Sequence, residues 1–135
     1  MIPMRFMLDT NICIYLMRNH PASVAARFAA LRRGDVVMSA ITYAELCYGA
    51  ERDPAVRAAA ERALKALIER IPVAVFEERA AEYYGRIRAA VRERKRDALD
   101  RLIAGHAAAL GLTLVTNNEA DFRDYPDLAV ENWVE

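Results

Sequence analysis

Cysteine is scarce. Cys13 and Cys47 are the only two in 135 residues, too few for a disulfide framework. Both read as reduced thiols of a cytoplasmic chain, with Cys47 on an apolar helical stripe. Glycine and proline number five each, which excludes collagen-like and low-complexity chains. No apolar run reaches the roughly 18 residues of a membrane span. The opening stretch to Asp9 carries charge on both sides of a very short apolar run, and reads as a strand rather than a signal peptide. Charge of one sign is also missing. Lys and Arg total 19 against 19 Asp and Glu, which argues against a uniformly basic nucleic-acid binder and leaves only a local patch open. Phosphate-binding glycine motifs, a nucleophile elbow and zinc-ligand spacings are all absent.

What is there suits one core. Hydrophobic residues make up 55% and charged residues 28%, and a chain of this length folds as one domain, here taken as residues 1–135. Strands are expected at 5–8, 36–38, 73–76, 113–116 and about 128–131. Helices are expected at 12–18, at 21–33 between Pro21 and Gly34, at 42–51, from Pro54 to about Ile71, at 77–94 and at 97–110 before Gly111. Strands alternating with helices predict an α/β fold, a central parallel sheet of four to five strands with helices on both faces. Such sheets bind ligands at the carboxyl ends of their strands, near the point where strand order reverses. That rule singles out Asp9 after the first strand and the run Thr116-Asn117-Asn118-Glu119-Ala120-Asp121 after the fourth.

Each acidic candidate has a structural reading beside the functional one. Asp9 is an N-cap or a functional carboxylate, and Thr10 and Asn11 are alternative caps. Thr42-Tyr-Ala-Glu45 fits a capping box. At about 100° per residue, Glu45 points away from the Tyr43/Leu46/Cys47/Ala50 stripe, toward solvent or a cleft. In the 97–110 helix, Leu99, Leu102, Ile103, His106 and Leu110 share a stripe, Asp100 sits at its edge, and Asp97 lies on the solvated side. His106 is expected to be buried and satisfied by a backbone carbonyl. The Asn-rich run after the fourth strand is a turn or a set of oxygen ligands, and Asp121 is a candidate cap for a short helix. Arg86, Arg88, Arg92, Arg94, Lys95 and Arg96 face one acid, Glu93. They are either a solvated helix end or a grip on a phosphate backbone.

Five segments in order carry a family resemblance: MLDTNICIYL at 7–16, SAITYAELCYG at 39–49, YYGRIRAAV at 83–91, DRLIAGHAAALGLTLVTNN at 100–118 and VENW at 130–133. Together they resemble the PIN domain, and within it the VapC-type toxin ribonucleases of bacterial toxin–antitoxin pairs. The resemblance implies a PIN-like three-layer sandwich. It also implies that Asp9, Glu45 and Asp100 are catalytic and hold one or two magnesium or manganese ions. Asn118, which stands where many relatives carry Asp, and Asp121 are further metal candidates. Thr10, Asn11, Thr116 and Asn117 would support the ligands or the substrate, and Arg92, Arg94, Lys95 and Arg96 would bind RNA. The segment Arg94–Asp100 is shorter than in many relatives and lacks their glycines.

The implied activity is hydrolysis of RNA, tRNA foremost, by in-line attack of an activated water that leaves a 5′-phosphate and a 3′-hydroxyl. Clustered carboxylates suit a hard divalent ion and repel one another without it. The resemblance further implies a VapB-like antitoxin whose tail blocks the acidic site, and a homodimer. Two rivals stand against this reading. A haloacid-dehalogenase-like phosphotransferase needs an acid two positions after Asp9, where this chain has Asn11. A non-catalytic PIN-like interaction module with a degenerate metal site is the alternative.

Overall fold

A computed structural model describes residues 4–91 and 98–134. Five short strands, β1 (Phe6–Leu8), β2 (Val36–Ser39), β3 (Val73–Ala74), β4 (Thr113–Val115) and β5 (Ala129–Glu131), form one sheet in the order β3-β2-β1-β4-β5. All four pairings are parallel. The described helices are α1 (Thr10–Arg18), α2 (Ala22–Ala29), α3 (Ala40–Glu51), α4 (Arg57–Arg70), α5 (Glu78–Ala90), α6 (Ala98–Leu110) and α7 (Glu119–Phe122). None of them is long and apolar enough to cross a membrane.

Strand alternation divides the core in two. Phe6, Leu8, Val36, Met38 and Val115 face one way and pack with Ile12 and Leu16 of α1, Val24 of α2, Leu46 of α3, and Leu64 and Leu67 of α4. Met7, Val37 and Leu114 face the other way and pack with Ile87 of α5, Ile103, Ala104 and Ala107 of α6, and Phe122 of α7. Strands buried on both faces explain the unbroken runs Phe-Met-Leu and Val-Val-Met. Trp133 of the C-terminal motif packs edge-on against Phe6, with centroids 5.5 Å apart, and so ties the chain end to the first strand.

Several boundaries differ from the expected ones. The second helix stops at Ala29 rather than running to residue 33. The chain turns there instead, with Asp35 Oδ2 accepting the Arg32 N–H at 2.9 Å and Gly34 at φ 99°. The fourth helix starts at Arg57, because Pro54 lies in a preceding turn. In α6, Leu99 and Leu110 are exposed although they share the expected apolar stripe. The buried face is instead the small-residue stretch around Gly105, where the backbone of α5 comes so close that a Cβ on Gly105 would lie 2.7 Å from Tyr84 N. Close helix contact selects small residues over large ones, and the two leucines at the helix ends lie outside it. Asp97 lies outside the described residues.

Candidate active site

Strand order reverses at β1, which pairs with β2 on one side and β4 on the other. Leu8 is in register with Met38 and with Val115. One residue beyond, the three strands end on Ser39, Asp9 and Thr116, all buried. The switch point of the sheet therefore holds a carboxylate flanked by two hydroxyls.

Asp9 is the N-cap of α1, and its Oδ1 accepts the Ile12 N–H at 2.9 Å. Capping and function are thus not alternatives here, since the bond that orders α1 also fixes the carboxylate. Thr10 and Asn11 are not the cap, as the sequence also allowed, but the first residues of the helix. Burial pushes the Asp9 carboxyl from 3.8 up to about 6. The Thr116 hydroxyl and the backbone N–H groups of Ile12 and Asn11 pull it down, and the nearby Glu45 charge pushes it further up.

Glu45 is not part of a capping box. Ser39 caps α3, its Oγ accepting the Ile41 N–H at 3.0 Å, because β2 runs directly into the helix. Thr42 is consequently inside α3 and fully buried. Glu45 faces a cleft, where its Oε1 accepts the Thr10 hydroxyl at 2.7 Å. Thr42 Oγ1 lies 3.4 Å from the same Thr10 oxygen. This Thr10–Glu45 contact joins α1 to α3 and brings the second carboxylate up to the first.

The cleft has a volume of about 650 Å³. Thr10 and Asn11 of α1, Glu45 and Tyr48 of α3, and Leu99 of α6 contribute to its lining. Asp100 follows Leu99 in the first turn of α6 and is half-buried. Asn117 donates to the Tyr15 hydroxyl at 3.1 Å, a bond from the β4 end to α1. Asn118 is exposed; its N–H donates to Thr116 Oγ1 at 3.0 Å, and it occupies the N-cap of α7 without a side-chain cap. Asp121 is exposed within α7, so it does not cap that helix as expected; its backbone N–H bonds Asn118 O at 3.0 Å. Arg92, Arg94, Lys95 and Arg96 lie outside the described residues.

The structure thus brings Asp9, Thr10, Glu45 and Thr116 together. Among the described residues, no three His, Cys, Asp or Glu side chains are grouped closely enough to hold one ion. The donor set still suits magnesium, which keeps several waters and takes only one or two protein carboxylates. Asp9 and Glu45 are hard oxygen donors, and the burial and mutual repulsion that raise Asp9 are what a cation would offset.

His106 is buried as expected, and the Val75 backbone is a hydrogen-bond partner that favours its charged form. Nδ1 also lies 2.7 Å from Ser39 Oγ, a side-chain partner that the sequence did not suggest. The Phe76 ring and the imidazole meet in a T-shaped contact, with centroids 5.2 Å apart. Ser39, Tyr15 and the cleft residues Tyr48 and Arg52 escaped sequence reasoning. For Ser39 the signal existed: a serine ending an apolar strand immediately before a helical stripe.

Residues 6–128 match the PIN domain family. The chain is 41% identical to the tRNA(fMet)-specific endonuclease VapC of Shigella flexneri over 135 residues, 96% of this chain and 98% of that one. The crystal structure of DNA-bound VapBC from Salmonella typhimurium has a chain that superposes with a TM-score of 0.85 at 36% identity, covering 96% of this chain and 98% of that one. A chain of VapBC2 from Rickettsia felis, bound to a DNA fragment from their promoter, gives 0.84 at 33% identity, covering 96% and 99%. The chain belongs to the PIN-domain family, and within it to the VapC group.

Proposed function

We propose that this protein is a divalent-metal-dependent endoribonuclease, with tRNA as the foremost substrate, restrained by a VapB-like antitoxin. The observation that carries the reading is the buried Asp9 at the sheet's switch point, with Glu45 held beside it by Thr10 at the wall of an open cleft. The Shigella flexneri relative named above, at 41% identity over nearly the whole chain, supports the nuclease class and the tRNA substrate. The VapBC complexes support the antitoxin.

Asp9, Glu45 and Asp100 would hold the ion, with Asp121 and Asn118 as outer candidates. When bound, a magnesium or manganese ion supplies charge neutralisation at the phosphodiester and a more acidic water. The chain's own residues do the rest. Asp9 stays oriented through Ile12 N–H and the Thr116 hydroxyl. Glu45, oriented by the Thr10 hydroxyl, would be a ligand or would orient the attacking water. Attack in line leaves a 5′-phosphate and a 3′-hydroxyl. Arg92, Arg94, Lys95 and Arg96 supply the positive charge that phosphate binding requires.

The test is incubation of antitoxin-free protein with total bacterial RNA in magnesium, manganese or EDTA, with Asp9→Asn as control and new ends mapped. Discrete metal-dependent cuts bearing 5′-phosphates, absent in the variant, are expected. The lack of a preformed three-carboxylate group among the described residues favours one competitor, a non-catalytic interaction module. No cleavage, together with no metal binding by the wild-type chain, would select it.

A further inference from the structure

The wall of the cleft beyond the carboxylates carries residues that metal chemistry does not need. Tyr48 is 68% exposed, unusually open for a large aromatic residue. It lies three positions after Glu45 on α3, so the two side chains are neighbours on one face of the helix. Arg52 follows four positions later and lines the same cleft. Leu99 stands on the α6 side, 45% exposed. Between Tyr48 and Arg52 sits Gly49, in the last turn of α3, where glycine forms helix less well than alanine. Nothing within the fold asks for it, because a Cβ there would meet no atom within 4 Å. Gly49 also lines a second cavity that shares Ile14, Glu45 and Arg52 with the first and is lined by Arg18 as well.

A ring, a guanidinium and a bare strip of helix beside an acidic centre fit one kind of occupant. A flat apolar face takes a nucleobase whatever its sequence, and a guanidinium takes the phosphate next to it. A helix surface stripped of its side chain lets a backbone pass close. We propose that Tyr48, Gly49 and Arg52 form a subsite for an unpaired nucleotide flanking the scissile phosphate, the base stacking on Tyr48 and its phosphate meeting Arg52. This rests on the ribonuclease reading above and deepens it: the substrate must be single-stranded, or opened, next to the cut. A base inside a duplex has no free face to offer.

The test measures binding of a labelled single-stranded RNA oligonucleotide of mixed sequence to the full chain. Asp9→Asn is the background and EDTA is present, so that nothing is cut. The same oligonucleotide annealed to its complement is the comparison. Tyr48→Ala is expected to weaken single-strand binding about tenfold or more, and Tyr48→Phe to change it little. Gly49→Gln should weaken it with no loss of thermal stability, and the duplex should bind weakly and respond to none of the three. Unchanged single-strand binding in Tyr48→Ala would overturn the subsite and leave the ribonuclease reading standing. If Tyr48→Ala alters self-association in sedimentation but not RNA binding, the face is an interface between copies and the proposal fails. If no form binds RNA and the wild-type chain cuts none in magnesium, the ribonuclease reading fails with it.

Discussion

Ser39 Oγ is shared between His106 Nδ1, at 2.7 Å, and the Ile41 N–H, at 3.0 Å. With Ser39 donating to the imidazole and accepting from Ile41, one hydroxyl links α6 to the first turn of α3, the helix that carries Glu45. Ser39→Ala should therefore cost about 1 kcal/mol, as loss of an N-cap does, and leave the His106 acceptor buried without its donor. Burial holds the His106 imidazole below its ordinary range, against the backbone of Val75 and the Glu77 carboxylate, which favour the charged form. The folded state thus resists protonation. The stability this provides is complete above the ordinary value of about 6.5 and is lost as pH falls from there toward the lower folded value. Urea midpoints from pH 7.5 to 5 should decline less steeply in His106→Asn than in the wild type. Equal slopes would remove His106 from the acid response.

Asp9 works in the opposite sense. Its carboxyl titrates near 6 in the folded chain against 3.8 when unperturbed. The folded state is then the better proton binder between those values, and stability falls as pH rises through that window. Above pH 6 the ionised carboxylate costs about 3 kcal/mol. Asp9→Asn keeps an oxygen for the Ile12 N–H and removes the charge. In EDTA at pH 7.5 the variant should melt above the wild type, and below pH 4 the two curves should converge. A variant less stable at both pH values would show that the carboxylate is held for stability rather than at its expense. The same substitution should abolish RNA cleavage, which makes Asp9 a position where function and stability are opposed.

Thr10 reaches Glu45 from the neighbouring helix, so its hydroxyl can be removed without touching a carboxylate. Thr10→Val retains the shape and the β-branch but leaves Glu45 Oε1 without its 2.7 Å donor. Partners that orient metal ligands are commonly worth 10–100-fold in affinity or activity, and a loss of roughly that size is expected in the magnesium concentration needed for half-maximal cleavage. Thr10→Ser should restore most of it. A titration in which valine and serine behave alike would mean that Glu45 is oriented by something else.

Much of this arrangement was legible before any coordinates, for physical reasons. Parallel strands buried on both faces read as continuous apolar runs, and Asp9, ending the first of them, marked the switch point. Helical geometry turned Glu45 toward solvent or a cleft, and the structure decides for the cleft. Its local partner was misread, because Thr42 and Ser39 both satisfy cap chemistry and only the length of β2 decides between them. The buried face of α6 was misread for a related reason. Periodicity weights leucine over alanine, whereas the approach of α5 at Gly105 depends on how small the residues are. Tyr15 meeting Asn117 joins residues 102 apart in sequence, and no local pattern announces such a pair.

Two glycines should respond to alanine in opposite directions. At Gly105 the new methyl would lie 2.7 Å from Tyr84 N and 2.9 Å from Tyr84 Cα, both backbone atoms that cannot swing aside. Gly105→Ala must push α5 and α6 apart, and overpacking of this kind costs about 1–3 kcal/mol. At Gly49 the methyl meets nothing, and alanine within a helix gains at most roughly 0.5–1 kcal/mol over glycine, less in the last turn where Gly49 sits. Chemical denaturation of both variants in EDTA should show Gly105→Ala unfolding earlier than the wild type and Gly49→Ala later. A Gly105→Ala chain of wild-type stability would mean that α5 can slide along α6 at no cost. A Gly49→Ala chain less stable than the wild type would mean that the helix there needs glycine's backbone, and the argument that Gly49 is kept open for an outside ligand would lose its footing.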